Sequence, residues 1–299
     1  MSQEPLSDIL VLPAREGGRR GGLAPVWNWT RRYPPGALGL ALIVILVLLA
    51  LGADVIATFD PKDASARANL EPNTTHLLGT DGVGKDIFSL MLHGARISLS
   101  VAIAAVLLGV TGGALFGLVS GYAGGPLDLL GQRVVDALVA FPTIIKALVL
   151  MAILGPSPTN VVIALGIAYI PTSVRIIRSV VLRERERMYV DAARAMGAQS
   201  SRIMLLHVLP NSVPPYLVLV SVTIGQAIVA EASLSFLGAG VGPDVPSWGV
   251  MLGVAAQSYF DNVYTLALAP GLAITLAVLG FNLFGDAVRD ALDPRLRRG

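Results

Sequence analysis

The sequence predicts an all-α integral membrane protein of six transmembrane helices. Three observations predict it. Only 14% of its 299 residues are charged and 54% are hydrophobic, against roughly 25% charged in ordinary soluble domains. Mean hydropathy is +0.69, so most of the chain prefers hydrocarbon to water. The apolar residues also gather into six long runs, and a hydrocarbon core about 30 Å thick needs roughly 20 residues of helix to cross it.

In chain order, residues 1–35 are polar and basic, with Arg15, Arg19, Arg20, Arg31 and Arg32. Pro and Gly interrupt them, and the stretch reads as a mobile tail. The first span is expected over 36–57, where the run 37–56 carries one charge, Asp54. A cleaved signal peptide is the competing reading of that run. Its length and the later spans, which supply insertion themselves, argue against it. Residues 58–94 are polar and read as an extracytoplasmic segment. The remaining five spans, within a transmembrane unit of 95–286, are expected at 97–122, 129–154, 160–181, 215–237 and 264–284. A charged loop at about 183–212 and a Gly/Pro-rich segment at 238–262 connect them. Residues 287–299 form a second tail.

An even number of spans puts both termini on one side. Segments on that side hold seventeen of the 22 Lys and Arg; the other side holds four, Lys62, Arg67, Lys85 and Arg96. By the positive-inside rule both termini, and the loop at 183–212, are expected in the cytoplasm.

There is no cysteine, which excludes disulfides, thiolate zinc sites and thiol catalysis. His76, His93 and His207 lie far apart and show no metal-ligand spacing. No catalytic residues and no metal site are expected.

The most informative stretch runs from Tyr189 to Asn211. Ala192, Ala193 and Ala195 are strong helix formers. Gly197 suits a left-handed helix cap. Ser200 or Ser201 can cap a second helix, which Pro210 is expected to disrupt. A short helix with small side chains, projecting from a membrane bundle, suits a groove in another protein. An ordinary charged connector is the alternative.

These residues resemble the coupling motif of permease subunits of ATP-binding-cassette (ABC) importers: Glu-Ala-Ala, three residues, Gly, nine residues, Ile, one residue, Leu-Pro. Here the pattern falls on Asp191, Ala192, Ala193, Gly197, His207, Leu209 and Pro210. Asp191 stands for Glu, and His207 for an apolar residue, a departure that fits the peptide-transporter branch. Two further stretches are similar to dipeptide and oligopeptide permeases of the C type. One is His76-Leu-Leu-Gly-Thr-Asp-Gly-Val-Gly-Lys-Asp86 with Gly94-Ala-Arg-Ile-Ser-Leu99, although Lys85 stands where that family usually has Arg. The other is Ser233-Leu-Ser-Phe-Leu-Gly238 with Pro246-Ser-Trp-Gly249. The resemblance covers about 34–294.

It implies the type I ABC importer permease fold and transport across a bacterial cytoplasmic membrane. It also implies a homologous second permease, two ATPase subunits that bind ATP and magnesium, and an external solute-binding protein. Membrane lipid surrounds the chain; no nucleic acid and no cofactor of its own are expected. The coupling loop would seat in the ATPase and transmit its closure. Short peptides are the implied cargo. Nickel, glutathione or another small solute is the alternative within the family. An ATPase-independent carrier is the alternative outside it, against which the coupling loop and the few charges within spans both argue.

Several features carry two readings. Residues 79–85 fit most of a phosphate-binding loop, but Asp86 stands where Ser or Thr should hold magnesium, so a Gly-rich turn is expected. Gly109, Gly113, Gly117 and Gly121 line one helix face; it packs either on a partner permease or within the subunit. Glu231 lies inside a span. A charge there costs roughly 2.5–3.5 kcal/mol and each Leu, Ile, Phe or Val returns only about 0.3–0.6, so the eleven such residues at 217–237 can offset it. Glu231, with Ser233, Ser235 and Lys146, is a candidate for the translocation path or its gate; a helix-locking hydrogen bond is the other reading of Glu231. Lys146 could also stretch toward the outer leaflet. Arg133 and Asp136 read as structural, and Pro142 and Pro171 as kinks. Trp248, Met251, Leu252 and Ala255 recur at helical spacing. They suggest an interfacial helix with Trp at headgroup depth, which either anchors in the membrane or touches the solute-binding protein.

Overall fold

A computed structural model describes residues 30–257 and 264–292 of the chain. The basic residues expected at 15–20, those at 295–298 and the end of the 238–262 segment lie outside the described residues. The helices are α1 Pro34–Leu51, α2 Ala53–Ile56, α3 Ile87–Ala123, α4 Gly125–Val139, α5 Thr143–Leu154, α6 Pro158–Arg185, α7 Met188–Ala195, α8 Ser200–Ile203, α9 Leu209–Phe236, α10 Trp248–Gln257 and α11 Thr265–Leu292, with a π-helical turn Met204–Val208 between α8 and α9. Five are long and apolar enough to cross a membrane: α1, α3, α6, the continuous stretch from α8 through α9, and α11. α4 and α5 pass the same test as a pair, bent by 90° at a short break.

α3 is the central pillar. It packs most extensively on α6 and also touches α1, α9, α10 and α11. The glycines at every fourth position make the α3–α6 contact. A Cβ on Gly113 would stand 2.6 Å from the Ile170 carbonyl oxygen, and one on Gly117 would stand 2.7 Å from that of Val174. Gly109 meets the backbone of Gly166. The stripe therefore packs inside the subunit, and the partner-permease reading of it does not hold. Around this contact, Val106, Val110, Leu165, Ala168, Ile228 and Leu234 form the core.

Several boundaries differ from the sequence expectation. α3 begins at Ile87, inside the segment 58–94 read as a polar connection. Asp86 caps it: its Oδ2 accepts from the Ser89 amide at 2.8 Å and the Ser89 hydroxyl at 2.7 Å, satisfying an amide that the first helical turn leaves unpaired. His93 and Arg96 made this stretch look like loop, yet Ile87, Leu90 and Leu92 are buried. The expected first span ends early, at Gly52, before the separate turn of α2. Serine does not cap α8. Its N-cap is Gln199, without a side-chain hydrogen bond. Pro210 does not end the helix either. The π-helical turn precedes it, and the Leu209 amide bonds the Met204 carbonyl, so the wider turn absorbs the proline. α6 continues through Pro171, and α11 runs to Leu292, into the expected tail.

Trp248 also differs. It is only 1% exposed. Its indole N–H donates to the Met91 carbonyl at 3.2 Å, and its amide to Ser98 Oγ at 3.2 Å. α10 thus buries Trp248, Met251 and Ala255 within the bundle, and Trp248 is not a headgroup anchor. The period shows which residues share a face, not what covers it.

The connection between α2 and α3 is ordered by its own polar contacts. His76 Nδ1 lies 3.0 Å from Asp86 Oδ1, and its ring stacks on Phe59 at 4.7 Å. In the Gly-rich stretch the amides of Val83 and Lys85 donate to Asp81 Oδ1 at 2.9 and 2.8 Å. Those amides are already taken, so the stretch is a closed turn rather than a phosphate cradle. Asp86→Ala removes the cap and the His76 partner together. A loss of about 1–3 kcal/mol is expected, read as a lower thermal midpoint in detergent.

Candidate functional site

The site is the short helical excursion between α6 and α9. α7 forms because its alanines favour helix, and it stops in a Schellman arrangement. The Ala198 amide bonds the Ala193 carbonyl at 3.1 Å, the Gly197 amide bonds that of Arg194 at 2.9 Å, and Gly197 has φ +82°. A left-handed residue at this position is what glycine supplies without strain. Val190 and Ala193 turn inward onto Ile203, with Ala198 and Tyr122 beside them. The opposite face, Asp191, Ala192, Arg194, Ala195 and Gly197, is exposed. Met188 and Met196 stand out from its two ends, flexible apolar side chains suited to a protein surface.

Thus the motif residues divide by position. Asp191, Ala192 and Gly197 present outward, Asp191 in an exposed ion pair with Arg194 at 3.1 Å. Ala193 faces inward. His207 lies on the π-helical turn, and Leu209 and Pro210 open α9. The loop joins two membrane helices, one on each side.

Its anchorage involves residues to which the sequence assigned no role. Tyr189 Oη donates to Glu184 Oε2 at 2.7 Å, and Asn211 Nδ2 donates both to Tyr189 Oη at 3.3 Å and to the His207 carbonyl at 2.6 Å. Partial burial, with the Glu184 carboxylate as acceptor, pushes the Tyr189 phenol up to about 12, so it remains a donor near neutral pH. One phenol therefore links α7 to the end of α6 and the start of α9. Arg185 adds bonds to the Gly121 and Tyr122 carbonyls at 3.3 and 3.2 Å, fastening the end of α6 to that of α3. Helical spacing could not reveal the Tyr189–Glu184 pair, because the chain leaves the helix between them at Glu186 and Arg187. Tyr189→Phe removes both side-chain bonds. Hydrogen exchange at amides 188–197 is expected to quicken roughly 2- to 10-fold, with the thermal midpoint of the bundle unchanged.

The four path candidates do not form one cluster. Glu231 is 0% exposed. Its Oε1 accepts from the Ser235 hydroxyl at 2.8 Å, one turn along α9, while Oε2 has no hydrogen-bond partner among the described residues. Ser98 of α3 and Ser247 of the α9–α10 connection flank the same carboxyl. Gly240 of that connection and Gly249 of α10 pack tightly on α9, against Ser235 and Ala232. Ser233 faces away and bonds the Val229 carbonyl at 2.7 Å. Lys146 lies on α5. Arg133 and Asp136 lie on α4, where Asp136 pairs with Arg175 at 2.6 Å, and Asp128 receives two bonds from Arg178 at 2.6 Å each. The structural reading of Asp136 thus has a partner.

Comparison with known proteins bears on the whole chain. Residues 113–298 match the family described as binding-protein-dependent transport system inner membrane component. The chain is 36% identical to the dipeptide transport system permease protein DppC of Haemophilus influenzae, over 100% of both chains. It is 40% identical to the DppC of Alkalihalophilus pseudofirmus, over 87% of this chain and 86% of the relative. It is 41% identical to the glutathione transport system permease protein GsiD of Pectobacterium atrosepticum, over 90% of both.

Proposed function

This chain belongs to the family of binding-protein-dependent transport system inner membrane components, the permease subunits of ABC importers, and from that premise we propose that it carries short peptides inward across the cytoplasmic membrane. The observation that supports the cargo is similarity, over 86% or more of each chain, to permeases named for dipeptides. Glutathione, a peptide-like thiol, is a second reading favoured by the similarity to GsiD.

The chain works with a homologous second permease, two ATPase subunits and an external solute-binding protein. ATP and magnesium bind the ATPases, and this chain performs no covalent chemistry. Both termini and the α7 loop face the cytoplasm, as the distribution of arginines favours. The exposed face at 191–197 seats in an ATPase. When ATP draws the ATPases together, α7 moves with them. Tyr189 and the inward contacts of Val190 and Ala193 pass that movement to α6 and α9. His207, Leu209 and Pro210 form the root of the lever: the π-helical turn lets the start of α9 tilt without breaking the helix. Glu231 and Ser235 are sealed inside the wall in this conformation. They act as a gate by holding the α9–α10 connection against α3, and Ser233 lies on the rim of the same helix.

The cargo is tested by substrate-stimulated ATP hydrolysis of the reconstituted complex with its binding protein. Stimulation by dipeptides and tripeptides at lower concentration than by glutathione is expected. Stimulation by glutathione alone would reassign the cargo without touching the importer reading.

A further inference from the structure

At the end of α3 opposite the coupling loop lies a cavity of about 370 Å³ that this chain forms by itself. Its walls come from the α2–α3 connection, α3, the α9–α10 connection, α10 and α11. Leu90, Val250, Met251, Val254 and Leu266 make it largely apolar, and Asp81, Lys85 and Asp244 bring charge to it. Small-molecule sites have this size and this make-up, apolar walls with a few placed polar groups. From Leu90 to Tyr122, beside the coupling loop, α3 rises about 48 Å at about 1.5 Å per residue, against about 30 Å of hydrocarbon. The exposed Arg96–Asp54 ion pair marks a wet level about 9 Å along α3 from Leu90, toward the bilayer centre. The cavity therefore faces water beyond the hydrocarbon, on the side away from the coupling loop.

Two of its charges are unpaired. Asp81 Oδ1 already accepts the amides of Val83 and Lys85. The Lys85 ammonium and the Asp244 carboxylate have neither an ion pair nor a side-chain hydrogen bond among the described residues. Both stand on constrained backbone. The Lys85 carbonyl accepts from the Asp81 amide at 2.9 Å and closes that turn. Asp244 follows Gly242, at φ +102°, and Pro243. Opposite charges held too far apart to pair, across an apolar wall, complement a small molecule that carries both charges. A short peptide with free termini does so, and the cavity has room for about twelve water-sized atoms, the size of a dipeptide. The wall also reaches the buried carboxyl. Pro246, Val250 and Met251 bracket Ser247 and Trp248, through which the α9–α10 connection meets Glu231 and Ser98.

We propose that this cavity is an entry site for a zwitterionic short peptide, with Asp244 pairing the peptide ammonium and Lys85 its carboxylate. Filling it presses on the connection that Glu231 holds against α3. The proposal rests on the importer reading with peptide cargo.

The test is photolabelling of the reconstituted complex, with its binding protein, by a dipeptide carrying a diazirine side chain. Adducts are mapped by mass spectrometry, and ATP hydrolysis is measured with the unmodified dipeptide. Adducts on Leu90, Val250, Met251 or Val254 are expected, removed by excess dipeptide. Lys85→Met and Asp244→Asn are each expected to lower them about tenfold, the worth of one charge-assisted hydrogen bond. Lys85→Arg, which keeps the charge, and Lys62→Met, outside the cavity, are expected to label as wild type. Adducts confined to other residues, or undiminished in Lys85→Met and Asp244→Asn, while the dipeptide still stimulates hydrolysis, would overturn the proposal and leave the importer reading intact. Labelling of the cavity by a photoactivatable phosphatidylethanolamine, unaffected by dipeptide, would overturn it in favour of a lipid headgroup. No stimulation by any dipeptide would remove the peptide-cargo reading and the proposal with it.

Discussion

A complex carrying Gly197→Val is expected to assemble in the membrane and to lose substrate-stimulated ATP hydrolysis. Gly197 closes α7 at φ +82°. A β-branched residue held in that region costs on the order of 1–3 kcal/mol, comparable to the bonds that shape the turn, so the exposed face at 191–197 would lose its form. Nothing in the subunit lies within 4 Å of a Cβ there, so the bundle itself has no reason to unfold. Gly197→Asn separates two causes. Asn tolerates the left-handed conformation, and any loss it shows reports a side chain intruding on the docked ATPase. Wild-type stimulation in both variants would remove the loop from the coupling mechanism.

The second large effect is on folding. Gly113→Leu is expected to yield little or no folded subunit, because its Cβ would stand 2.6 Å from the Ile170 carbonyl oxygen and 2.7 Å from Ser173 Cβ. The first of these is backbone and cannot swing aside. Moving α3 from α6 opens the most extensive contact in the bundle, so the cost should reach or exceed the roughly 1–3 kcal/mol typical of overpacking. The neighbouring Gly112→Leu is the control. Nothing lies within 4 Å of a Cβ there, and wild-type yield is expected. Size-exclusion recovery in detergent distinguishes the two. Equal recovery would show that the α3–α6 contact yields more easily than its geometry implies.

Apolar runs made five of the helices legible, because a membrane demands length and hydrophobicity together. The start of α3 was hidden, since Lys85, His93 and Arg96 mask a helix whose other face is buried. The bend at Pro142 could be read as a kink, but not as 90°, because the angle depends on how α4 is held by Arg175 and Arg178 of α6. The alternation of small residues exposed the glycine stripe without saying what fills it; Gly166 and Ile170 on α6 answer that. At the loop, spacing identified 191–210 and the turn at Gly197. It did not reveal the contacts among Tyr189, Glu184 and Asn211, which cross a break in the helix. Pro210 misled because a proline's local cost was counted without the π-helical turn that relieves it.

The most direct measurement is uptake of a labelled dipeptide into vesicles holding this chain, its second permease and the ATPases, with the solute-binding protein on the side opposite the ATPases. Ionophores abolish every ion gradient. Accumulation that requires ATP and survives the ionophores is the expected result. Uptake by this chain without ATPases, driven by an ion gradient and abolished by the ionophores, would contradict it.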